Sequence, residues 1–377
     1  MKFVRLKAIA LKEFLQIIRD PRSLALALSI PVLLLVLFGY ALTLDVDRIP
    51  TVVYDLDRTP KSRDLADRFF SSQYFQLQTA VQSYAHLQEM LDTGQALMAL
   101  VIPANFSRDL EMGRNATIQV LMDGTDANTA TIALGYANGI ILLYSQELIR
   151  EKMTRLGVGK ISPPVEPRIR IWFNPDLESK NFIVPGLIAI IMAILAAILT
   201  SGTIAGEWER GTMEQLISTP IRKGELILGK LIPYFIIGLI DLTLSVLMGR
   251  YLFGVPLRGS GFLLFSLASL FLLGAICQGV LVSIATRNQL LSSQISIILS
   301  YLPTFILSGF IYPIHNMPKF IQFITYVVPG RYVVTILKGI YSKGIGLEIL
   351  WIEASLLVVY AGAMTFWAHK RFQKRID

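Results

Sequence analysis

The chain has 377 residues, of which 53% are hydrophobic and 16% charged, and its formal net charge is +8. A soluble domain of this length needs more charge to cover its surface, so the composition argues against a soluble enzyme and for a membrane protein. The basic residues sit beside apolar runs, where flanks meet anionic lipid, so membrane lipid is the expected partner and nucleic acid is not. With Cys277 as the only cysteine, an internal disulfide is excluded.

Residues 1–20 place Phe3, Leu6, Ile9, Ala10, Phe14 and Ile17 on one face, with Lys2, Arg5, Lys7, Lys12 and Arg19 mostly elsewhere. This pattern predicts a basic amphipathic helix in the cytoplasmic interface, broken by Pro21. Residues 24–44 are apolar for long enough to cross a bilayer, with a kink expected at Pro31. No small-residue cleavage site follows, so this run is read as a retained first span rather than a signal peptide.

The character changes over residues 45–180. Ile49–Tyr54, Phe75–Thr79, Leu97–Ile102 and Thr117–Met122 alternate as strands, and Ile169–Phe173 is a candidate last strand. Ser62–Phe70, Tyr84–Leu91, Ala104–Met112 and Thr129–Leu156 carry helical spacing. Strands alternating with helices predict an inserted extracytoplasmic α/β domain within an α-helical membrane protein of six transmembrane helices.

The other five spans are 182–203, 226–248, 262–285, 290–311 and 347–367. An even number of crossings puts both termini on one side, and the basic amino end and the tail 368–377 assign that side to the cytoplasm. The loop 312–346 is then outside. Its prolines (Pro313, Pro318, Pro329) divide apolar pieces too short to span, which suits re-entrant or interfacial helices packed on the bundle. A plain amphipathic loop is the other reading.

Chemistry-bearing motifs are few. Gly224–Lys230 reads GELILGK, the outline of a phosphate-binding loop, but Leu231 replaces the metal-binding hydroxyl and no strand precedes it. No catalytic residue, metal-ligand cluster or cofactor site is expected on this chain; His86, His315 and His369 fall in separate regions. Asp241 and Glu353 are acids inside apolar runs, and Gln278 and Gln294 are amides in similar settings. The two acids either contact a proton or substrate or pair with a neighbouring helix, with snorkelling also open to Glu353, and the structural role is preferred; the two amides are read as bonding between helices.

Glu207–Lys230 is a polar island between two spans, and it resembles the permease subunits of ABC-2-type transporters. Glu207, Glu209, Gly211, Thr212, Glu214 and Leu216 match that family's acidic segment, followed by Thr219-Pro220, Glu225 and Gly229-Lys230. The likeness extends to the basic first helix, the six spans, the outer loop with Met317-Pro318, and the tail. The large insertion resembles the bacterial exporter subgroup associated with drug export and a periplasmic adaptor.

The resemblance implies a coupling helix at 207–218 that docks on a separate ATP-binding-cassette ATPase. ATP and Mg would reside on that partner, and a second permease subunit would complete a dimer in the bacterial inner membrane. Glu207, Trp208, Glu209, Arg210, Gly211, Thr212, Glu214, Leu216, Thr219 and Pro220 are the implied docking residues. Trp208, Met213, Leu216 and Ile217 would bury an apolar stripe in the partner's groove, with the acids paired to basic residues. Pro220 would stop the helix, and Gly211 would permit close approach. Two other readings are a membrane-anchored extracytoplasmic binding or assembly protein and a proton-driven transporter using Asp241. Six spans exceed what anchoring requires, and no inverted repeat supports the second.

Overall fold

Long apolar segments satisfy their backbone polar groups as helices, and short alternating segments do so by pairing as strands; this chain uses both in separate units. The computed structural model describes residues 3–41, 47–155, 172–174 and 178–372. It divides into two compact units, residues 1–43 with 171–377, and residues 44–170.

The first unit opens with α1 (Phe3–Arg19) and α2 (Pro21–Ala41). Pro21 therefore begins the second helix rather than only ending the first, a position where its missing N–H costs nothing. The bundle continues with α7 (Lys180–Glu209), α8 (Thr212–Ser218), α9 (Lys223–Tyr251), α10 (Gly261–Thr286), α11 (Gln289–Leu307), α12 (Lys319–Thr325), α13 (Pro329–Lys338) and α14 (Leu347–Arg371). The chain is thus mostly helical.

At the centre lies α7, which packs on α2, α9, α10, α11 and α13. Its Ala189, Ala193, Ala196, Ala197 and Ala205 are all buried. Small residues let helix backbones approach closely, which is how apolar helices gain packing energy in lipid. Gly279 of α10 is one such contact, since a Cβ there would collide with Thr200 Oγ1 of α7.

The 312–346 loop contains α12 and α13, set at 84° to one another across a short break. A single turn of π-helix, Gly339–Lys343, follows, and Tyr332, Val333, Ile336 and Leu337 of α13 are buried. Fourth-to-fifth-span boundaries differ slightly from expectation: α11 stops at Leu307 because Gly309 adopts φ +80°, a left-handed turn.

The second unit has a four-stranded sheet of order β2-β1-β3-β4, made of β1 (Ile49–Asp55), β2 (Phe75–Ala80), β3 (Met98–Ile102) and β4 (Gln119–Met122). β1 runs parallel to β2 and β3, and β4 is antiparallel to β3. The helices are α3 (Pro60–Ser71), α4 (Tyr84–Asp92), α5 (Phe106–Glu111) and α6 (Ala127–Arg155). Strand alternation sends Val53, Leu100 and Ile102 to a core with α3, α5 and α6, and Val52, Ala99 and Val101 to one with α4. Of the candidate last strand, Ile169–Ile171 lie outside the described residues, and Trp172 and Phe173 form no strand.

Among the described residues six helices are long and apolar enough to cross a membrane: α6, α7, α9, α10, α11 and α14. The expected first span, 24–44, falls on α2, which is not among these six; its apolar stretch is the shorter Leu28–Tyr40. α6 was assigned to the strand-bearing region, and its Ala130, Ala133, Ala137 and Tyr144 are indeed buried there.

Candidate functional site

A charged segment between two apolar helices has to find partners for its charges or expose them, and the 207–230 segment does both. The stretch 207–218 is not one helix, as the resemblance implied. α7 runs on to Glu209, and Gly211 then adopts φ +69°, a conformation costly for any residue with a Cβ. The chain turns there into the short α8, which Thr219 and Pro220 end.

The acids do not share one fate. Glu207 is 3% exposed and belongs to the interior. Lys230 Nζ donates to Glu207 Oε1 at 3.0 Å, to Glu13 Oε1 at 2.7 Å and to the Thr203 carbonyl at 3.2 Å. Lys12 Nζ donates to Glu207 Oε1 at 2.6 Å and Glu13 Oε1 at 3.1 Å. The Thr212 hydroxyl donates to the other Glu207 oxygen. Two ammoniums and two carboxylates therefore form a neutral cluster in which every member is hydrogen-bonded, the condition under which charge can be buried. Burial alone would lower the Lys12 pKa, but the bonds and charges of Glu207 and Glu13 raise it above the ordinary 10.5.

Gly229, beside Lys230, allows this cluster to close. A Cβ there would lie 2.7 Å from Ile9 Cγ2, so α1 can reach α9 only across a glycine. Arg5 adds a bond to the Pro220 carbonyl, and Glu225 caps α9 by accepting from the Arg222 N–H at 3.0 Å. The GELILGK outline is thus the first two turns of a helix; its glycine and lysine serve packing and charge pairing.

The implied apolar stripe also turns inward. Met213 is fully buried, and Trp208, Leu216 and Ile217 pack partly buried against the same bundle. Arg287 stacks over the Trp208 ring at 4.7 Å. Glu209 is exposed, yet its Oε1 accepts from the Gln289 N–H at 2.9 Å and so caps α11. Arg210, Glu214, Gln215, Ser218 and Pro220 remain at the surface. A cavity of about 800 Å³ adjoins the cluster, with Lys12, Gln16, Arg19, Tyr234, Ile198 and Gln289 in its wall.

The intramembrane polar candidates are dispersed. Gln278 of α10 accepts from the Tyr360 hydroxyl of α14 at 2.6 Å, a bond between helices. Gln294 is exposed on α11 and Glu353 partly buried on α14. Asp241 is 1% exposed, and neither of its oxygens has a hydrogen-bond partner among the described residues, so the expected bond to a neighbouring helix is not formed there. No group of three or more His, Cys, Asp or Glu able to hold a metal occurs among the described residues.

Sequence reasoning missed Glu13 altogether and saw Lys12 only as part of a basic face. The available signal was that Glu13 is the lone acid in an otherwise basic helix and lies one turn from Ile9, on the face that is buried.

Comparison with known proteins adds the family. The model of the family described as ABC-2 family transporter protein matches residues 21–368. The chain is 36% identical over 374 residues to the probable multidrug ABC transporter permease YbhS of Escherichia coli K12, covering 99% of this chain and 98% of that one. It is 32% identical over 376 residues to the probable multidrug ABC transporter permease YbhR of the same strain, covering 99% and 100%. It is also similar to the inner membrane transport permease YhhJ, at 30% over 333 residues and 87% and 86% coverage.

Proposed function

The chain belongs to the ABC-2 transporter family, and we propose that it is the membrane-spanning permease subunit of an exporter driven by a separate ATP-binding-cassette ATPase. ATP and Mg bind on that partner, and a second permease subunit completes the pathway. Both termini and α8 face the cytoplasm of a bacterial inner membrane, and the sheet-bearing unit is an extracytoplasmic α/β domain inserted between the first two spans. The cargo is a drug-like or lipid-like molecule moved outward, in keeping with relatives named as multidrug permeases. A periplasmic adaptor is the partner suited to the inserted domain.

The observation that carries this reading is the Glu13–Lys230–Glu207–Lys12 cluster, buried except at the exposed Lys12. It ties α1, α7 and α9 together at the root of α8. A push on α8 is therefore passed to three helices at once instead of being lost in a soft loop. Docking uses the polar face that carries Arg210, Glu214, Gln215 and Ser218, because the apolar face is already occupied by the bundle. Complementary charge fixes the register of such a contact and speeds its formation.

Co-purification with the ATPase tests the proposal. Glu214→Lys combined with Ser218→Glu is expected to abolish association while thermal stability stays unchanged. Undiminished association of that variant would sink docking at α8.

A further inference from the structure

Asp241 lies in the apolar middle of α9, and its burial has no electrostatic counterpart. Both carboxyl oxygens lack hydrogen-bond partners among the described residues, and so does Ser245 Oγ, one turn along. A second turn along is Gly249, where a Cβ would stand 3.8 Å from the Tyr341 hydroxyl, itself buried and unsatisfied. Positions 241, 245 and 249 share one helix face, so three unsatisfied polar groups follow a single line from mid-helix to the Gly339–Lys343 turn.

The elements packed on α9 are α1, α2, α7, α10 and α14. Glu13 of α1 and Glu207 of α7 are committed to Lys12 and to Lys230, the latter eleven residues away on α9, or about 16 Å along the axis. Cys277 of α10 is bonded with Thr365, and Tyr360 of α14 donates to Gln278. None of these groups is hydrogen-bonded to Asp241 among the described residues.

An ionised carboxylate in that position would be a buried charge with neither counter-charge nor donor, whereas the acid form carries only the cost of a neutral polar group. We propose that Asp241 is a proton-binding site, held as the neutral acid in this conformation and able to release its proton along the Ser245–Tyr341 line when the neighbouring helices part. This site goes beyond the coupling role of α8 and does not depend on it, because the proton is bound by this chain alone.

Infrared difference spectroscopy on the purified full chain in lipid nanodiscs tests it. Wild type minus Asp241→Asn at neutral pH is expected to show the carbonyl stretch of a protonated carboxylic acid, shifted by deuterium exchange. A difference confined to carboxylate bands would overturn the proposal. Loss of the acid band on replacing choline chloride with sodium chloride would also overturn it, in favour of a metal-cation site. Should the variant not fold, isotope-labelled aspartate in the wild type reads the same band, since exposed aspartates are ionised at neutral pH.

Discussion

Lys230 Nζ and Glu13 Oε1 lie 2.7 Å apart although 217 positions separate them in the chain, and their side chains are only 1% and 3% exposed. Removing one member of such a pair leaves an uncompensated buried charge. Lys230→Met is expected to lower stability by about 3–5 kcal/mol, whereas Lys230→Met with Glu13→Gln and Glu207→Gln together recovers most of it. Thermal unfolding of the purified variants measures both. The triple variant should still bind the ATPase yet transport poorly, which separates anchoring from force transmission.

Gly229 and Ile9 form the contact that sets the distance between α1 and α9. Gly229→Val should therefore displace α1 and reduce transport, and Ile9→Ala should partly restore it. A double-mutant cycle on stability is expected to show a coupling of about 0.5–3 kcal/mol, as for residues in direct contact. Additive effects would refute the contact.

Glu209 caps α11 through the Gln289 N–H. Glu209→Ala should cost about 0.5–1.5 kcal/mol, as the loss of one hydrogen bond does, since the N-cap Asn288 still holds the Leu291 N–H. Faster hydrogen exchange at the first amides of α11 is the specific readout, and it should appear whether or not the ATPase is present.

In the sheet-bearing unit, Asp57 accepts from the Ser107 backbone N–H at 3.4 Å and from the Ser107 and Thr59 hydroxyls. Burial would raise its pKa, but these bonds hold it below the ordinary 3.8. A depressed folded value means that the stabilisation is complete above pH 3.8 and is lost as pH falls through the lower folded value. Asp57→Asn should remove this acid-side component from the pH dependence of unfolding while leaving the fold intact at neutral pH.

The long apolar helices α7, α9, α10, α11 and α14 were legible because apolar length is a direct physical requirement of the bilayer, and the four strands because alternation follows from the pleat. The break at Gly211 was harder to read. The motif marks both a glycine and a charged helix, and only the left-handed φ shows that the glycine ends one helix and begins another. Amphipathicity around Met213 marks an apolar face, which this chain's own bundle covers, and periodicity cannot say which protein does so. Glu13 was invisible for a different reason: its buried partner Lys230 is remote in the chain, and no local pattern records a tertiary ion pair.

The length and composition of α6 have a practical consequence for mapping the topology of this chain. A count based on apolar helices alone would include Ala127–Arg155 as a crossing, although its small residues and Tyr144 pack on the sheet. Such a count reaches six by taking α6 in place of α2, which would put the strand-bearing residues on the amino-terminal side of the membrane. Reporter fusions on both sides of α6 should give the same signal, and the sidedness of every later loop follows from that result.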